Sequence, residues 1–284
     1  MFLELGKYTV LDVVKAVDFG FYLDGGPYGE ILLPNNEIME GVKVEVDAEI
    51  EVFIYHDNEN RLIATTRTPL ARADSFAYLH CKDVNKVGAF LDWGLMKQLF
   101  VPFREQTQRM EVGKAYVVYV YEDAETERLV ASARTNRFVS KTPPEDLKVG
   151  DTVQILISKK TNLGFKAIIN DDFSGLVYQS DVFKPLQVGQ RTTAYIKTIR
   201  EDGKIDLTLR KEGFSGVQDA AGIILHKLET APNQTLLLTD KSSPEIIKQQ
   251  LKMSKKTFKK AVGTLYKKGL IILDTDKIVL KTVD

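Results

Sequence analysis

The residues of this sequence that could do chemistry are cations placed near aromatic rings. A basic residue is first and an arginine is seventh in an eight-residue phrase that occurs twice almost unchanged, RLIATTRT at 61–68 and RLVASART at 128–135, and once more loosely, KIDLTLRK at 204–211. A glycine with aromatic or aliphatic neighbours precedes each copy, in FGFYLD, VGAFLD and LGFKAI. Because Lys and Arg neutralise phosphates and exposed rings stack on bases, the pattern predicts a surface for single-stranded nucleic acid.

The residues that usually carry catalysis are scattered along the chain. His56, His80 and His226 share no metal-ligand spacing, and Cys81 is the only cysteine. The sequence has no phosphate-cradling glycine loop and no nucleophile elbow. The acid pair at 171–172 is typical of a turn between strands. We therefore expect a protein that is not an enzyme and that holds no cofactor and no metal.

The spacing of the phrases predicts the domains that position them. The second copy starts 67 residues after the first, and the third starts 76 residues after the second. Each unit is rich in β-branched and aromatic residues with Gly, Asn and Asp between them, which is typical of short antiparallel strands. Units this small normally close their sheet into a barrel. The expected domains are residues 1–68, 69–137 and 138–213, followed by a different domain at 214–284.

Alternation along a strand predicts which side chains of each phrase face outward. Aliphatic residues would close the core, and the basic residues would share one solvent-facing surface with the hydroxyls. The residues expected outward are Arg61, Ile63, Thr65 and Arg67 in the first copy, Arg128, Val130, Ser132 and Arg134 in the second, and Lys204, Asp206, Thr208 and Arg210 in the third. In FGFYLD, alternation places Gly20 and Tyr22 on one face and Phe19, Phe21 and Leu23 on the other.

The C-terminal domain is expected to be a winged helix-turn-helix. An apolar helix at 220–228 precedes a helix with Ser243 as N-cap and Pro244 at its first position. Ser254 caps a third helix that Gly269 ends, and a hairpin around residues 275–276 follows. Lysines on the third helix suit contact with phosphates more than with bases, since lysine lacks the planar fork of arginine. The candidates on this helix are Lys255, Lys256, Lys259, Lys260 and Lys267.

Charge is distributed unevenly, although 39 basic and 39 acidic residues give a formal net charge of zero. The four expected domains carry −8, +1, +2 and +5 in chain order, so a polyanion should prefer the C-terminal half. No apolar run approaches the about 20 residues that a membrane helix needs. Because the chain has a single cysteine and lacks a signal-peptide layout, we expect a cytoplasmic protein with no membrane partner.

The repeated units resemble the S1-type RNA-binding domain, a five-stranded oligonucleotide-binding (OB) barrel. The third unit is most similar, with GLVYQSD and VGQRTTAYIKTIREDGKIDLTLR after LGFKAI. In that family, RNA contacts come from aromatic residues on the second strand, a ring on the third, and a basic residue that opens the last. Carried over by position, the second strands offer the rings Phe19, Tyr22 and Phe90, and the third unit has Lys166 where a ring is usual. The third strand of the third unit offers Tyr178. The basic residues that open the last strands are Arg61, Arg128 and Lys204. Leu33 and Val101 stand at the third-strand position of the first two units. The resemblance thus implies that no single unit holds the full site and that affinity arises from linked modules.

Three S1-type units followed by a winged helix also resemble the conserved virulence factor B family of low-GC Gram-positive bacteria, over the whole chain. That resemblance implies an RNA-binding protein that acts on gene expression after transcription. The expected fold class is mainly β with an α+β C-terminal domain: three tandem five-stranded OB barrels and a winged helix-turn-helix. The expected partners are single-stranded RNA and the ribosome or RNA-processing enzymes. Two alternatives stay open, namely a protein-interaction adaptor on that machinery and a DNA-binding transcription regulator.

Overall fold

The structure is a computed structural model that describes residues 3–140, 142–182, 185–209 and 217–281. Three closed five-stranded barrels are followed by a domain of three helices and a small sheet. The predicted fold class is confirmed. Among the described residues, no helix is long and apolar enough to cross a membrane.

The first barrel has the strand order β1-β2-β3-β5-β4. Strands β3 and β5 run parallel, and the other neighbours are antiparallel. This is a five-stranded barrel of the OB type. Its strands are β1 Tyr8–Val17, β2 Gly20–Asp24, β3 Glu30–Pro34, β4 Glu49–His56 and β5 Leu62–Thr65.

The second and third barrels repeat this topology, including the parallel pairing of their third and fifth strands. The second consists of β6 Ser75–Val84, β7 Gly88–Asp92, β8 Leu99–Pro102, β9 Ala115–Asp123 and β10 Arg128–Ser132. The third consists of β11 Thr152–Thr161, β12 Gly164–Ile169, β13 Phe173–Tyr178, β14 Arg191–Ile199 and β15 Ile205–Thr208. A short 3₁₀ helix follows the third strand of each barrel, at 35–37, 103–105 and 179–181.

The repeated phrase forms the last strand of each barrel. Its central apolar residues Ala64, Ala131 and Leu207 are fully buried in the three cores, as alternation predicts. The phrase is therefore repeated because each copy closes one barrel.

The hydroxyl in each phrase is buried, so its predicted place on the outer surface is wrong. Thr65 and Ser132 are fully buried, and Thr208 is nearly so. Ser132 donates from Oγ to Oε2 of Glu105 at 2.6 Å, and Thr65 donates from Oγ1 to the carbonyl of Glu37 at 3.0 Å. Because Glu37 and Glu105 lie buried in the 3₁₀ helices, the hydroxyl turns inward to bond them. Val130, also predicted outward, is buried as well.

The first and second barrels share part of one core. Trp93, on the β7–β8 connection, is buried and contacts two aromatic residues of strand β4. Its ring centroid lies 5.9 Å from that of Phe53 and 6.1 Å from that of Tyr55, both edge to face. Burial of three rings at one junction fixes the orientation of the two barrels.

The second and third barrels meet through a separate apolar cluster. Phe76 of β6 and Leu156 of β11 are buried in it, and Arg191 donates to the carbonyl of Phe76 at 2.5 Å. At its edge, Gly189 has a φ of +88° and lies so close to the Tyr78 ring that a Cβ would overlap it. This position therefore requires glycine for its backbone conformation and for the approach of the ring.

The C-terminal domain is built from helices α1 Val217–Thr230, α2 Pro244–Leu251 and α3 Lys255–Lys267, with strands β16 Thr235–Leu236, β17 Ile271–Leu273 and β18 Ile278–Leu280. The Ser243 side chain caps α2 and the Ser254 side chain caps α3, as predicted. Strands β17 and β18 form the expected hairpin, and β16, which the sequence did not predict, adds a third strand. The domain has its own core, formed by residues of all three helices and the sheet.

Candidate nucleic-acid interface

The outward face of the second barrel brings two rings and a cation together. Phe90 on β7 pairs with Phe100 on β8, and their ring centroids are 5.2 Å apart. Val130 of β10 lies beside Phe100 in the parallel pair. Arg128 therefore opens the strand that borders both rings. Its side chain is exposed and makes no ion pair with any residue that the structure describes.

The strand register corrects the third-strand position expected from the sequence. Leu33 and Val101 are fully buried, and the outward neighbours are Leu32 and Phe100. A slip of one residue moves every side chain to the other face of a strand. The equivalent glycine of each second strand pairs with the residue at one position of the third strand. That residue is Pro34 in the first barrel, Pro102 in the second and Tyr178 in the third. The second barrel thus has a proline at the position of Tyr178, and its third-strand ring is Phe100, two residues earlier, which sequence reasoning missed.

The first barrel presents a ring with cations beside it. Tyr22 lies under the Lys15 ammonium, which is 4.5 Å from the ring centroid, and Phe19 packs edge to face on it at 6.3 Å. Strict alternation would place Phe19 and Tyr22 on opposite faces of the strand. Phe19 lies in the turn before β2, however, so alternation does not set the direction of its side chain. Arg61 donates from Nε and Nη2 to Oδ2 of Asp57, at 2.9 and 2.7 Å, so its charge is partly neutralised.

The third barrel holds its cations in internal contacts. Lys204 pairs with Asp202 at 2.5 Å. Arg200 pairs with Asp206 at 2.9 Å and donates to the Tyr178 hydroxyl.

Lys166 takes the place of a ring on the second strand of this barrel and is half-buried. Its ammonium donates to Oδ1 of Asn136 at 2.5 Å. Burial, and then the charge of Lys159, lower the pKa of Lys166.

The second arginine of each of the first two phrases has a local contact. Arg67 donates to the carbonyl of Asn36 at 2.8 Å, and Arg134 donates to the carbonyl of Arg104 at 2.7 Å. Both bonds tie the last strand to the 3₁₀ helix. Arg210, the equivalent residue of the third barrel, lies outside the described residues.

A groove of about 880 Å³ lies in front of the second barrel's outward face. Phe90, Phe100 and Arg128 line it, and the first barrel closes one side with residues of β4 and of the turn after it. Those residues are Tyr55, His56 and Asn58. Its volume lies within the range of about 300–1,000 Å³ that is usual for ligand sites.

Basic side chains lie close together where this groove meets the first barrel. Lys97 is half-buried and donates to the carbonyl of Asp57 at 2.6 Å; burial, and then the charge of Arg128, lower the pKa of Lys97. Burial, followed by the charges of Lys97 and Arg128, lowers the pKa of His56. Nδ1 of His56 is buried and has no hydrogen-bond partner among the described residues. Positive charge at this wall is therefore poorly solvated, which favours an anionic ligand.

Helix α3 presents a separate basic face. Phe258, Ala261 and Leu265 are buried, and the lysines on the other side are exposed: Lys256, Lys259, Lys260 and Lys267. Lys255, at the first turn, is half-buried. Lys259 approaches Asp240 at 3.7 Å, which leaves most of this face available to phosphates.

The part of the chain that the structure describes contains no group of three or more side chains able to hold a metal ion. Cys81 is buried, and burial raises the pKa of its thiol.

Comparison with known proteins gives family matches for the first two barrels and for the C-terminal domain. The S1 domain family matches residues 5–67 and 75–134, and the CvfB-like winged helix domain family matches residues 223–280. These are families of nucleic-acid-binding domains and not of enzymes.

Similar proteins align with nearly the full length of this chain. The uncharacterized protein YitL of Bacillus subtilis is 29% identical and covers 94% of this chain and 90% of its own length. Conserved virulence factor B of Staphylococcus epidermidis is 26% identical, and the alignment covers 97% of this chain and 94% of that protein. A crystal structure of a multidomain protein with nucleic acid binding domains from Streptococcus pneumoniae TIGR4 is 23% identical, covers 98% of each chain, and gives a TM-score of 0.43.

The fold and its surfaces thus define a multidomain protein made of nucleic-acid-binding domains. Within that class, the chain combines S1 domains with a CvfB-like winged helix domain and is similar over nearly its full length to proteins named conserved virulence factor B.

Proposed function

We propose that this protein binds single-stranded RNA in the cytoplasm and acts on gene expression after transcription. The observation that carries the proposal is the second barrel's outward face. There Phe90 and Phe100 line a groove of about 880 Å³ together with Arg128. Bases can stack on the rings while a phosphate meets the guanidinium, which is the usual arrangement for single strands.

A single strand fits this face better than a duplex does. The rings lie on a sheet surface, where only bases that have left a helical stack can reach them. The preference for RNA over DNA is drawn from the resemblance to S1 domains.

Helix α3 supplies a second contact in this proposal. Its exposed lysines suit phosphates of any sequence. The hairpin tip carries Asp274 and Asp276, which would repel the backbone of a DNA duplex. We therefore place the winged helix on RNA rather than in a DNA groove.

The test is equilibrium binding of the full chain to a labelled single-stranded RNA, measured by fluorescence anisotropy at several salt concentrations. The logarithm of the affinity should fall linearly with the logarithm of salt, with a slope of about −0.7 per phosphate contact. Duplex RNA and single-stranded DNA of the same length should bind more weakly. Duplex binding as tight as single-strand binding would contradict the proposal.

A matched pair of variants tests the site itself. Phe90→Ala should weaken binding by about 5- to 150-fold, the value of about one stacked base. Tyr28→Ala removes an exposed ring of the first barrel that does not line this groove and should leave the affinity unchanged. Trp93 lines the groove and is the only tryptophan, so its emission should change on binding.

An adaptor role is favoured by one further observation. The outer face of β1 and β4 exposes Val10, Asp12, Glu49 and Glu51, with Val10 opposite Glu51 and Asp12 opposite Glu49. These three acids form no ion pair with other described residues. Such a face would repel RNA and suits a basic protein, so we place contact with the ribosome or an RNA-processing enzyme here. Loss of a co-purifying partner on Glu49→Lys with unchanged RNA affinity would support this role.

A further inference from the structure

The outward faces of the first and second barrels meet at a common wall. A smaller groove of about 320 Å³ lies in front of the first barrel, where Leu32 and Ile63 line it. Four residues line both this groove and the larger one: Tyr55, Asn58, Met96 and Lys97. The two grooves are therefore neighbours separated only by side chains.

The common wall is held by contacts between the barrels. The Lys97 ammonium of the second barrel donates to the carbonyl of Asp57 in the first, at 2.6 Å. The Trp93 indole donates to the carbonyl of Lys97 at 2.5 Å, and its ring packs on Phe53 and Tyr55. Since the barrels share a core here, the two faces keep a fixed separation and direction.

The wall also has the chemistry of a nucleotide subsite. Lys97 supplies a positive charge for a phosphate. The Met96 side chain is 64% exposed and offers an adaptable apolar surface to a base. Asn58 is exposed, and its amide can donate to and accept from a base edge.

Cations and rings continue on both sides of this wall. Tyr22 and Lys15 lie on the first-barrel face, and Phe90 and Arg128 line the groove of the second. A strand that follows both faces thus finds the Tyr22 ring before the wall, with Lys15 already paired to Glu30 at 2.6 Å. It then finds a cation at the wall, and a ring and a cation after it.

We propose that the first two barrels form one continuous track for a single strand, with the Tyr55–Asn58–Met96–Lys97 wall as an occupied nucleotide subsite. The inference rests on the proposed RNA binding. It differs from two linked modules, in which the segment between the sites is free and affinity depends on effective concentration. In a continuous track, the nucleotide that crosses the wall contributes to affinity.

The test uses the full chain and oligouridylates of increasing length, with Kd measured by fluorescence anisotropy. Affinity should rise until the strand spans both faces, at roughly 8–16 nucleotides if each fold takes at least about 4. Met96→Glu places a carboxylate on the wall and should weaken binding of the shortest strand that reaches full affinity by about tenfold. Its effect on a strand of about 4 nucleotides should stay below about twofold.

The matched control is Met39→Glu. Met39 is also an exposed methionine, 47% accessible, on the first barrel and outside both grooves. The substitution makes the same change of charge, so it should leave both affinities unchanged if the effect of Met96→Glu is local.

An abasic spacer at the centre of the longer strand gives the second measurement. It should cost the wild-type protein and Met39→Glu about two- to tenfold in affinity, the value of one lost contact between the methionine sulfur and an aromatic base. It should cost Met96→Glu nothing further, because that wall is already blocked. If all three proteins tolerate the spacer equally, or if Met96→Glu weakens short and long strands alike, the continuous track is wrong while RNA binding stands. If no strand binds the wild-type protein, both proposals are wrong.

Discussion

Removal of one basic opener in the second barrel should weaken RNA binding far more than removal of its equivalent in the third. Arg128 and Lys204 occupy the same position of the repeated phrase, and both are exposed. They differ in their neighbours. Lys204 is 2.5 Å from the Asp202 carboxylate, whereas Arg128 has no carboxylate partner among the described residues and stands beside Phe100 and Phe90 on the groove wall.

The structure sets the size of the difference. A phosphate that meets Arg128 gains a charge-assisted hydrogen bond without displacing an internal partner, and bonds to charged groups are worth about 1.5–3 kcal/mol. Arg128→Ala should therefore raise Kd by about 10- to 150-fold. A phosphate that meets Lys204 must compete with Asp202, whose charge repels it. Lys204→Ala should change Kd by no more than about threefold.

The assay is anisotropy with a labelled single-stranded RNA, measured for the full-length variants at three or more salt concentrations. Arg128→Ala should also reduce the steepness of the salt dependence by about one contact, whereas Lys204→Ala should leave it unchanged. Far-ultraviolet circular dichroism checks that both variants fold. An equal or larger loss from Lys204→Ala would refute the argument that internal pairing decides which openers are available.

Three further predictions concern stability and pH. Gly189→Ala forces a Cβ into a tyrosine ring of the second barrel at a φ of +88° and should destabilise by about 1–3 kcal/mol, seen as a lower urea midpoint; Gly113→Ala, also at positive φ but with open space around it, should cost less. Ser132→Ala removes one of the side chains that donate to the buried Glu105 carboxylate, which keeps the Arg137 guanidinium at 3.1 Å, and should cost about 0.5–1.5 kcal/mol; a loss as small as that of Thr107→Ala, on an exposed hydroxyl, would contradict this. Because burial lowers the pKa of His56 below its ordinary 6.5, the unfolded chain takes up the proton first, so the free energy of unfolding should decrease as pH falls through about 6.5. His56→Gln should flatten that decrease in urea titrations from pH 7.5 to 5.5.

The repeat and the fold class could be predicted because local pattern and global fold agree. The phrases recur at a spacing that only a repeated domain explains, and their apolar residues alternate with the period of a strand. Helix caps such as Ser243 and Ser254 are set by local backbone bonding, so the sequence alone located both. Each of these features depends on residues close together in the chain.

Features that depend on distant residues were beyond sequence reasoning. The inward turn of Ser132 requires Glu105, which lies 27 positions away. The outward position of Phe100 depends on the register between β7 and β8, and a slip of one residue exchanges it with Val101. Trp93 reads as a core residue of its own barrel, yet it packs on Phe53 in the preceding one. A signal was available only for Phe100, since an aromatic residue next to Val101 offered the alternative register.

We expect the pairing of individual cations to decide where a polyanion binds more than the formal charge of each domain does. The C-terminal half carries the excess of positive charge, and the exposed lysines of α3 keep that prediction open for the winged helix. In the third barrel, however, Arg200 is bound to Asp206 and Lys204 to Asp202, so these cations reach a ligand only by giving up a partner. The second barrel has a formal charge near zero but leaves Arg128 beside two rings. We therefore expect affinity for a strand to follow the cations that have no carboxylate partner and lie beside exposed rings, and in the part of the chain that the structure describes Arg128 of the second barrel combines the two.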